Sequence, residues 1–480
     1  MNVRRGATAG KAGPQEETAM GMEIPTVEEV EASASPGVQS SQPWPKPSVA
    51  WYAVGVFALV LMFGQLDQGV ISLLIKPIKD TFHVQDWRVG LLTGLAPSLF
   101  FVVIGIPLSR FVDTHTRKFV LAAGIGVCSV MTTLCGLAQN FWQLFGLRVL
   151  VGGGTAVNGP GSYSMLADFF NRQRLPSAIY VLQIGFIVGT GAPLILGAYV
   201  LGLLAHTPDQ QWMGLTIHVW QMVFIAVGLP ALIGALLLLT VPEPPRRGAM
   251  QHGVQKSASL WAIIGYLFKH WPLYAPMFFG LAFSAMETYG TLQWRVPFLQ
   301  RTYHWGNEAG YVLGVANILF QFLGLLVGSW FTAWMAKKYD DANVRVVAIM
   351  YTITPIFAIL GPLMPNPWLS VFCAGMTGLC GLAGASPQNA AIQSVTPNQM
   401  RGQVTALYLF IFTVIGQGLG PVFIGLVTNF VVKDESLIRY AMAGTAAVMT
   451  PLAALIIWLG VKPYGRAIAE IKAREAAGQA

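Results

Sequence analysis

The chain has 480 residues, of which 54% are hydrophobic and only 10% are charged, and its mean hydropathy is +0.57. Soluble globular proteins usually contain about 25% charged residues, so this composition excludes an ordinary soluble enzyme and an ordinary nucleic-acid-binding protein. The net charge of +8 does not require a polyanionic partner, because membrane proteins retain Lys and Arg in their cytoplasmic loops. The sequence therefore predicts a protein embedded in a lipid bilayer.

The first 47 residues contain no long apolar stretch. They are rich in Pro, Ser, Ala and Gly and contain no apolar core of the kind found in a cleaved signal. Residues 1–47 are therefore predicted to be a disordered cytoplasmic tail.

The remaining chain consists mainly of long stretches that contain no charged residue. A spanning helix needs about 20 apolar residues, and twelve stretches meet this requirement. The uncharged stretch 346–400 is long enough for two spans, with a turn predicted at the PNPW of 365–368. The predicted spans are 49–75, 88–111, 118–138, 142–168, 176–204, 217–241, 272–298, 309–335, 344–363, 368–393, 402–431 and 439–461.

A polar interval divides these spans into two sets of six. Residues 48–242 are predicted to form an amino-terminal bundle, and 271–462 a carboxy-terminal bundle. The linker 243–270 is expected to be cytoplasmic and to contain an interfacial helix. Residues 463–480 are expected to form a cytoplasmic tail. Lys and Arg are concentrated in the two tails and in alternate loops, which places both termini in the cytoplasm. We expect a multi-pass protein of the inner or plasma membrane.

The two halves resemble each other in sequence, as expected for parallel six-helix repeats. At an offset of 220 residues, three Pro or Gly positions coincide between the halves. The pairs are Pro77 with Pro297, Gly90 with Gly310, and Gly94 with Gly314.

Motifs in the first half support a family resemblance. The loop after the second span reads SRFVDTHTRK and resembles the GxxxDRxGRR pattern of the major facilitator superfamily. The segment 64–94, the GIPLSRF that follows it and the RVLVGGGTAV of 148–157 resemble the spinster-like subgroup, although Gln68 and Thr155 replace an Arg and an acidic residue of its motifs. The resemblance implies an all-α fold of twelve transmembrane helices in two pseudo-symmetric bundles, and transport by alternating access.

Four ionisable residues lie well inside predicted spans: Asp67, Arg148, Glu287 and Arg295. Such residues are costly in lipid and are functional candidates by default. Asp67 and Arg148 lie at matched depth, and the resemblance implies that they meet across a central cavity lined by the first, fourth, seventh and tenth helices. A carboxylate that alternates between Arg and a proton would couple transport to a proton gradient. The alternative is a permanent structural ion pair.

Glu287 occupies the repeat position of Asp67, and we expect it to be a second titrating site because Thr155 lacks a carboxylate. Arg295 is expected to snorkel toward the outer membrane surface. Polar residues predicted to line the substrate cavity, or alternatively to act as interhelical packing contacts, are Asn158, Tyr163, Thr291, Gln293, Trp294, Gln388 and Asn389.

Charged residues at the cytoplasmic ends of the first half are predicted to form a gate, as the resemblance implies, although ordinary positive-inside loop charges are the alternative. They are Asp113, Arg117, Lys118, Arg172 and Arg174.

Together these features predict a secondary active transporter, coupled to protons, for an amphipathic organic molecule, either an organic anion or a lipid-like compound. An uncoupled facilitator is the alternative, and a transporter-like ligand sensor is a weaker one. We expect no catalytic residues, metal site, cofactor or nucleic acid partner, and we expect a monomer.

Overall fold

The computed structural model describes residues 44–101, 103, 115–156, 158–171, 173–212, 215–245, 260–397 and 400–476. The predicted disordered tail lies almost entirely outside the described residues. Most of the predicted linker also lies outside them, as do two of the predicted gate residues, Asp113 and Arg172.

The first half is built from seven helices and a small hairpin. The helices are α1 Pro47–Phe82, α2 Asp86–Gly90, α3 Arg117–Cys135, α4 Phe141–Thr155, α5 Asn158–Phe169, α6 Leu175–Leu204 and α7 Val219–Thr240. The strands β1 Gln210–Trp212 and β2 Leu215–Ile217 pair antiparallel between α6 and α7.

The linker contains α8 Leu260–Lys269, at the position of the predicted interfacial helix. The helices of the second half are α9 Trp271–Tyr303, α10 Glu308–Ala336, α11 Ala342–Leu363, α12 Pro367–Val395, α13 Arg401–Ile411, α14 Leu419–Leu426 and α15 Ile438–Ala476. The last helix continues about four turns beyond the predicted end of its span at residue 461.

Within the described ranges, nine helical segments are long and apolar enough to cross a membrane. They coincide with nine of the predicted spans. The predicted span 88–111 runs into residues outside the described ranges, 142–168 contains two shorter helices, and 272–298 lies in the polar-rich helix α9. The predicted helical membrane fold is confirmed, and the arrangement is consistent with twelve crossings.

In the part of the chain that the structure describes, short π-helical segments occur at three places where the halves face each other. They are Leu91–Leu95, which follows α2, Phe412–Gly418, which joins α13 to α14, and Val427–Val432, which follows α14. The apolar pattern of the sequence predicts helix here but not this local widening, which is often found at functional sites.

The helices α1 and α9 end alike, which supports the internal repeat. Each begins with Pro in its first turn and ends at a His in the left-handed conformation, His83 with φ of 50° and His304 with φ of 57°. A left-handed residue commonly closes a helix, although Gly or Asn is the usual choice. The helices α1 and α9 finish at the same end of the molecule. We name this end the distal end.

Buried apolar side chains form three clusters. One lies in the first half around Phe57 and Leu121, and one in the second half around Tyr274 and Tyr351. The third contains residues of both halves, including Leu73, Leu194, Trp294 and Leu313. This shared cluster closes the distal end of the molecule.

Glycine allows the helices of the two halves to touch in the shared cluster. A methyl group at Gly191 of α6 would overlap the carbonyl oxygen of Gly314 of α10, and one at Gly90 of α2 would overlap the backbone of Pro421 of α14. Backbones that approach this closely leave no space for a side chain, as in other membrane helix contacts.

Candidate transport site

A cavity of about 290 Å³ lies between the two halves. Its walls come from α1 and α6 of the first half and from α9 to α13 of the second half. Its polar walls are mainly amides and hydroxyls, and its apolar walls combine aromatic and aliphatic side chains. The principal lining residues are Gln65, Gln68, Ser72, Phe186, Gln293, Arg295, Gln321, Tyr351, Gln388, Asn389, Tyr408 and Phe412.

Arg295 is the one charged side chain among the described residues that line this cavity. It is 8% exposed, and within the described part of the chain it makes no direct hydrogen bond or ion pair. The expectation that Arg295 snorkels is wrong, because α9 directs its side chain into the interior. An unpaired guanidinium in such a place favours a negatively charged ligand.

The structure brings Asp67 and Arg148 together, as expected, but not at the expected place. The Arg148 Nη1 donates to Asp67 Oδ2, and the Thr132 hydroxyl donates to Asp67 Oδ1 at 3.3 Å. Neither member of the pair lines the central cavity, so the expectation that they meet across it is wrong. The pair lies inside the first half, where α1, α3 and α4 pack.

The pair is fully enclosed. Asp67 is 3% exposed and Arg148 is not exposed, and two guanidinium nitrogens of Arg148, Nε and Nη2, have no hydrogen-bond partner among the described residues. The next residue on α1, Gln68, lines the central cavity. The ion pair is therefore one residue along the helix from the cavity wall.

Glu287 lies inside the second half and is 1% exposed. Its carboxylate accepts hydrogen bonds from Thr291 Oγ1 at 3.2 Å and Thr288 Oγ1 at 3.5 Å. It lines a separate small cavity of about 30 Å³ that Arg295 also lines. Glu287 does not line the central cavity.

Three of the seven predicted cavity residues line the central cavity, namely Gln293, Gln388 and Asn389. The other four do not, which corrects the prediction for them. Asn158 is buried among helices of the first half, Tyr163 donates to Gln183 at 2.9 Å, Thr291 contacts Glu287, and the Trp294 indole donates to the carbonyl of Pro421 at 2.9 Å.

Polar residues on α1 contribute a wall that the sequence analysis missed. Gln65, Gln68, Gly69 and Ser72 all line the cavity. Their spacing of three, four and seven residues is that of one helix face, and this stripe was available in the sequence.

A hydrogen-bonded group fixes the opposite wall. The Tyr351 hydroxyl donates to Gln388 Oε1 at 3.1 Å, and Gln388 Nε2 donates to the Tyr408 hydroxyl. Because the Gln388 amide is held on both sides, it is oriented before any ligand arrives.

Within the described ranges, the hydrogen bonds and ion pairs of the predicted gate residues Arg117 and Lys118 are made with the first half and with the residues that directly follow α7, Glu243 among them. Arg117 pairs with Asp168 at 2.5 Å and with Glu243 at 3.0 Å, and Glu243 also accepts from the Lys118 backbone nitrogen at 3.0 Å. The Arg174 side chain is exposed. Arg117, at the start of α3, therefore connects this helix to the ends of α5 and α7.

Charges at the distal end connect the two halves, and the sequence analysis missed them. Asp86 is enclosed between Lys79 at 2.5 Å and Arg301 at 2.7 Å, and Lys79 also pairs with Glu435. Lys79 and Asp86 belong to the first half, and Arg301 and Glu435 to the second. We call these four residues the distal cluster.

The ionisable groups form no metal-binding arrangement among the described residues. The four cysteines, Cys128, Cys135, Cys373 and Cys380, are buried and unpaired.

Comparisons with known proteins agree with this architecture. A family model for the Major Facilitator Superfamily matches residues 57–421. An MFS-type efflux pump of Mycolicibacterium smegmatis is 27% identical over 428 residues, covering 88% of this chain and 95% of the relative. The sphingosine-1-phosphate transporter SPNS2 of Xenopus tropicalis is 24% identical over 478 residues, covering 92% of this chain and 86% of that protein.

Solved structures show the same fold. A bacterial homologue of the human lysosomal transporter spinster, in an inward-facing and unoccupied conformation, superposes with a TM-score of 0.69 at 22% identity. It covers 88% of this chain and 98% of the homologue. The predicted resemblance to spinster-like proteins is confirmed by these relatives.

Proposed function

The chain belongs to the Major Facilitator Superfamily, and from this premise we propose that it is a proton-coupled secondary transporter of an amphipathic organic anion. Family and fold support membrane transport of a small organic substrate by alternating access. The finer proposal rests on one observation. Arg295 presents an unpaired positive charge to a cavity whose other described lining residues are uncharged.

The cavity walls favour a ligand with distinct polar and apolar parts. Arg295 would bind the anionic group, while amides such as Gln293 and Gln388 would orient polar atoms. Aromatic side chains such as Phe186 and Phe412 would contact the apolar part. The Xenopus tropicalis relative is named for transport of sphingosine-1-phosphate, which combines these features.

Proton coupling is assigned to the buried carboxylates. When Asp67 takes up a proton, its ion pair with Arg148 breaks, and the packing of α1 against α3 and α4 changes. Because Gln68 follows Asp67 on α1 and lines the cavity, such a change would be transmitted to the substrate wall. Glu287 would be the second titrating site. In the uncoupled alternative, both carboxylates are structural.

Gating is proposed at both ends of the molecule. The distal cluster would hold the distal end shut, and the contacts of Arg117 would hold the opposite helix ends in position. We further propose a monomer in an inner or plasma membrane, with both termini cytoplasmic.

A reconstitution experiment tests the proposal. Purified protein and its Asp67→Asn variant are placed in liposomes that contain a pH-sensitive dye, and organic anions, phospholipid-like anions and cationic drugs are added under an imposed proton gradient. We expect proton flux that depends on an anionic amphiphile and is lost in the variant. Substrate movement without proton flux would support the facilitator instead.

A further inference from the structure

The side chain of Arg295 lines two cavities. It lines the central cavity, and it also lines the 30 Å³ cavity that Glu287 lines. Glu287 and Arg295 are eight residues apart on α9, which is about 12 Å along the helix axis. Within the described residues, Glu287 is the acidic group with which the Arg295 guanidinium interacts electrostatically.

The small cavity lies inside the second half. Its volume corresponds to about two water molecules. The residues Thr291, Ser370 and Thr377 line it together with Glu287 and Arg295, but the surface that faces the cavity is almost entirely apolar. Because this surface offers few polar partners, the Glu287 carboxylate depends on Thr288, Thr291 and Arg295 for its stabilisation.

No other ionisable side chain lines the small cavity among the described residues. The helices packed against Glu287 contribute Leu313 from α10, Phe357 from α11, Val371 from α12 and Met442 from α15. On the central side, the titratable groups that share the cavity with Arg295 are Tyr289, Tyr351 and Tyr408. Phenols remain neutral near pH 7, so Glu287 is the group that responds to charge at Arg295.

We propose that a substrate anion and Glu287 compete for Arg295, so that the anion and a proton on Glu287 are bound together. The inference rests on the proposed function and deepens it. An anion on the central side of Arg295 pairs with the guanidinium and withdraws its stabilisation of the Glu287 carboxylate. Glu287 then takes one proton from water, and the net charge of the second half is unchanged.

The sign of the coupling follows from reciprocity. If the anion favours protonated Glu287, then protonation of Glu287 favours the anion by the same factor. Anion affinity therefore rises as pH falls, by up to about tenfold per pH unit while one proton is taken up per anion. This linkage produces symport of anion and proton, and it excludes exchange of the two at this site.

Equilibrium binding tests the inference without requiring transport. The probes are 1-naphthalenesulfonate, taurocholate and decanesulfonate, whose sulfonates remain charged between pH 5 and 8, and the protein is reconstituted in nanodiscs. We expect wild-type affinity for at least one probe to rise at least tenfold from pH 8 to pH 5. Glu287→Gln should bind that probe at pH 8 as tightly as the wild type does at pH 5, with no pH dependence.

Three variants control this measurement. Arg295→Gln should lose binding at every pH. Thr291→Val removes a hydroxyl that donates to the Glu287 carboxylate, so the change in probe affinity should occur at a higher pH than in the wild type. This variant supplies a second test if Glu287→Gln does not fold. Glu308→Gln makes the same chemical change at an exposed position at the start of α10 and should behave as the wild type.

The outcomes separate the two levels of the proposal. Binding to the wild type that does not vary with pH overturns the competition while leaving the anion transporter intact. Binding that strengthens as pH rises also overturns it. Failure of all three sulfonates to bind at either pH overturns the anion site and, with it, the proposed substrate class.

Discussion

The Arg301 guanidinium donates two parallel hydrogen bonds to the Asp86 carboxylate, of 2.7 Å and 2.9 Å. Arg301 lies in the last turn of α9 in the second half, and Asp86 begins α2 of the first half, so this bidentate contact joins the halves. Asp86 is fully buried, and Lys79 contacts it from the other side. Bidentate charged contacts of this kind are among the strongest in proteins.

Replacing Asp86 with Asn is predicted to open the distal end. Hydrogen bonds to a charged partner contribute about 1.5–3 kcal/mol, so their loss should shift the ratio of open to closed molecules by on the order of 10- to 100-fold. Distances between spin labels on exposed residues of α2 and α14 would report the opening. Asp340→Asn is the matched control, because the exposed Asp340 pairs with Lys472 away from the interface.

Closure of the distal end is predicted to be independent of pH between 5 and 8. Burial alone would raise the pKa of Asp86, which precedes the predicted span 88–111, but the hydrogen bonds and charges of Arg301 and Lys79 hold that pKa below its ordinary value. A carboxyl with a lowered pKa keeps its stabilising contribution above about pH 4 and loses it only at lower pH. The same spin-label distances measured across this range test the prediction. A closed population that falls at pH 5 would contradict it.

The two buried arginines are predicted to differ in their effects on stability and transport. Arg148→Ala leaves the buried carboxylate of Asp67 without its cation, which should cost about 3–5 kcal/mol of stability. Arg295→Ala breaks no direct ion pair, so it should lower stability much less and yet abolish anion transport. Thermal unfolding in detergent and uptake in liposomes measure the two effects separately. Equal loss of stability in both variants would argue against this division of roles.

The sequence predicted the membrane fold well because long uncharged stretches have few alternatives to spanning helices. The matched depth of Asp67 and Arg148, together with the family resemblance, also predicted that the two meet, and their ion pair offsets the cost of burying either charge alone. The sequence failed to predict which way side chains face. Adjacent residues on a helix point about 100° apart, and so Asp67 faces the core of its half while Gln68 faces the cavity.

The same limit explains the errors at Arg295 and Thr291. In a soluble helix, the apolar stripe identifies the buried face, whereas in lipid both the buried and the lipid-facing sides are apolar. The rotation of α9 is then fixed by its contacts with other helices, such as the close approach of Gly290 to the Gly420 carbonyl. The distal cluster was missed because its members are far apart in sequence, and Lys79 and Glu435 are separated by 356 positions.

Reporter fusions should reveal the orientation of the chain in the membrane. The excess of Lys and Arg in the tails and alternate loops predicts that a reporter after residue 250 is cytoplasmic, and that one at Asp209, before the hairpin, is outside. Paired fusions to an enzyme active only in the cytoplasm and to one active only outside give opposite signals at the two sites. The reverse pattern would overturn the charge argument and with it the cytoplasmic placement of the two termini.

Glycine at the contact between α6 and α10 is predicted to be necessary for closing the distal end. The Cβ of Ala at Gly191 would overlap the Gly314 carbonyl oxygen across the interface between the halves. Because backbone cannot yield as a flexible side chain does, Gly191→Ala should separate the halves there and shift the population toward the open state, with the distal cluster weakened as a consequence. Gly55→Ala is the control, since a Cβ at this exposed α1 position meets nothing within 4 Å. The same spin-label distances should lengthen in Gly191→Ala and not in Gly55→Ala. If the spin-label distances in Gly191→Ala stay as short as in the wild type, the prediction is wrong. The helices α6 and α10 would then slide past each other, and glycine would set their packing distance but not the conformational equilibrium.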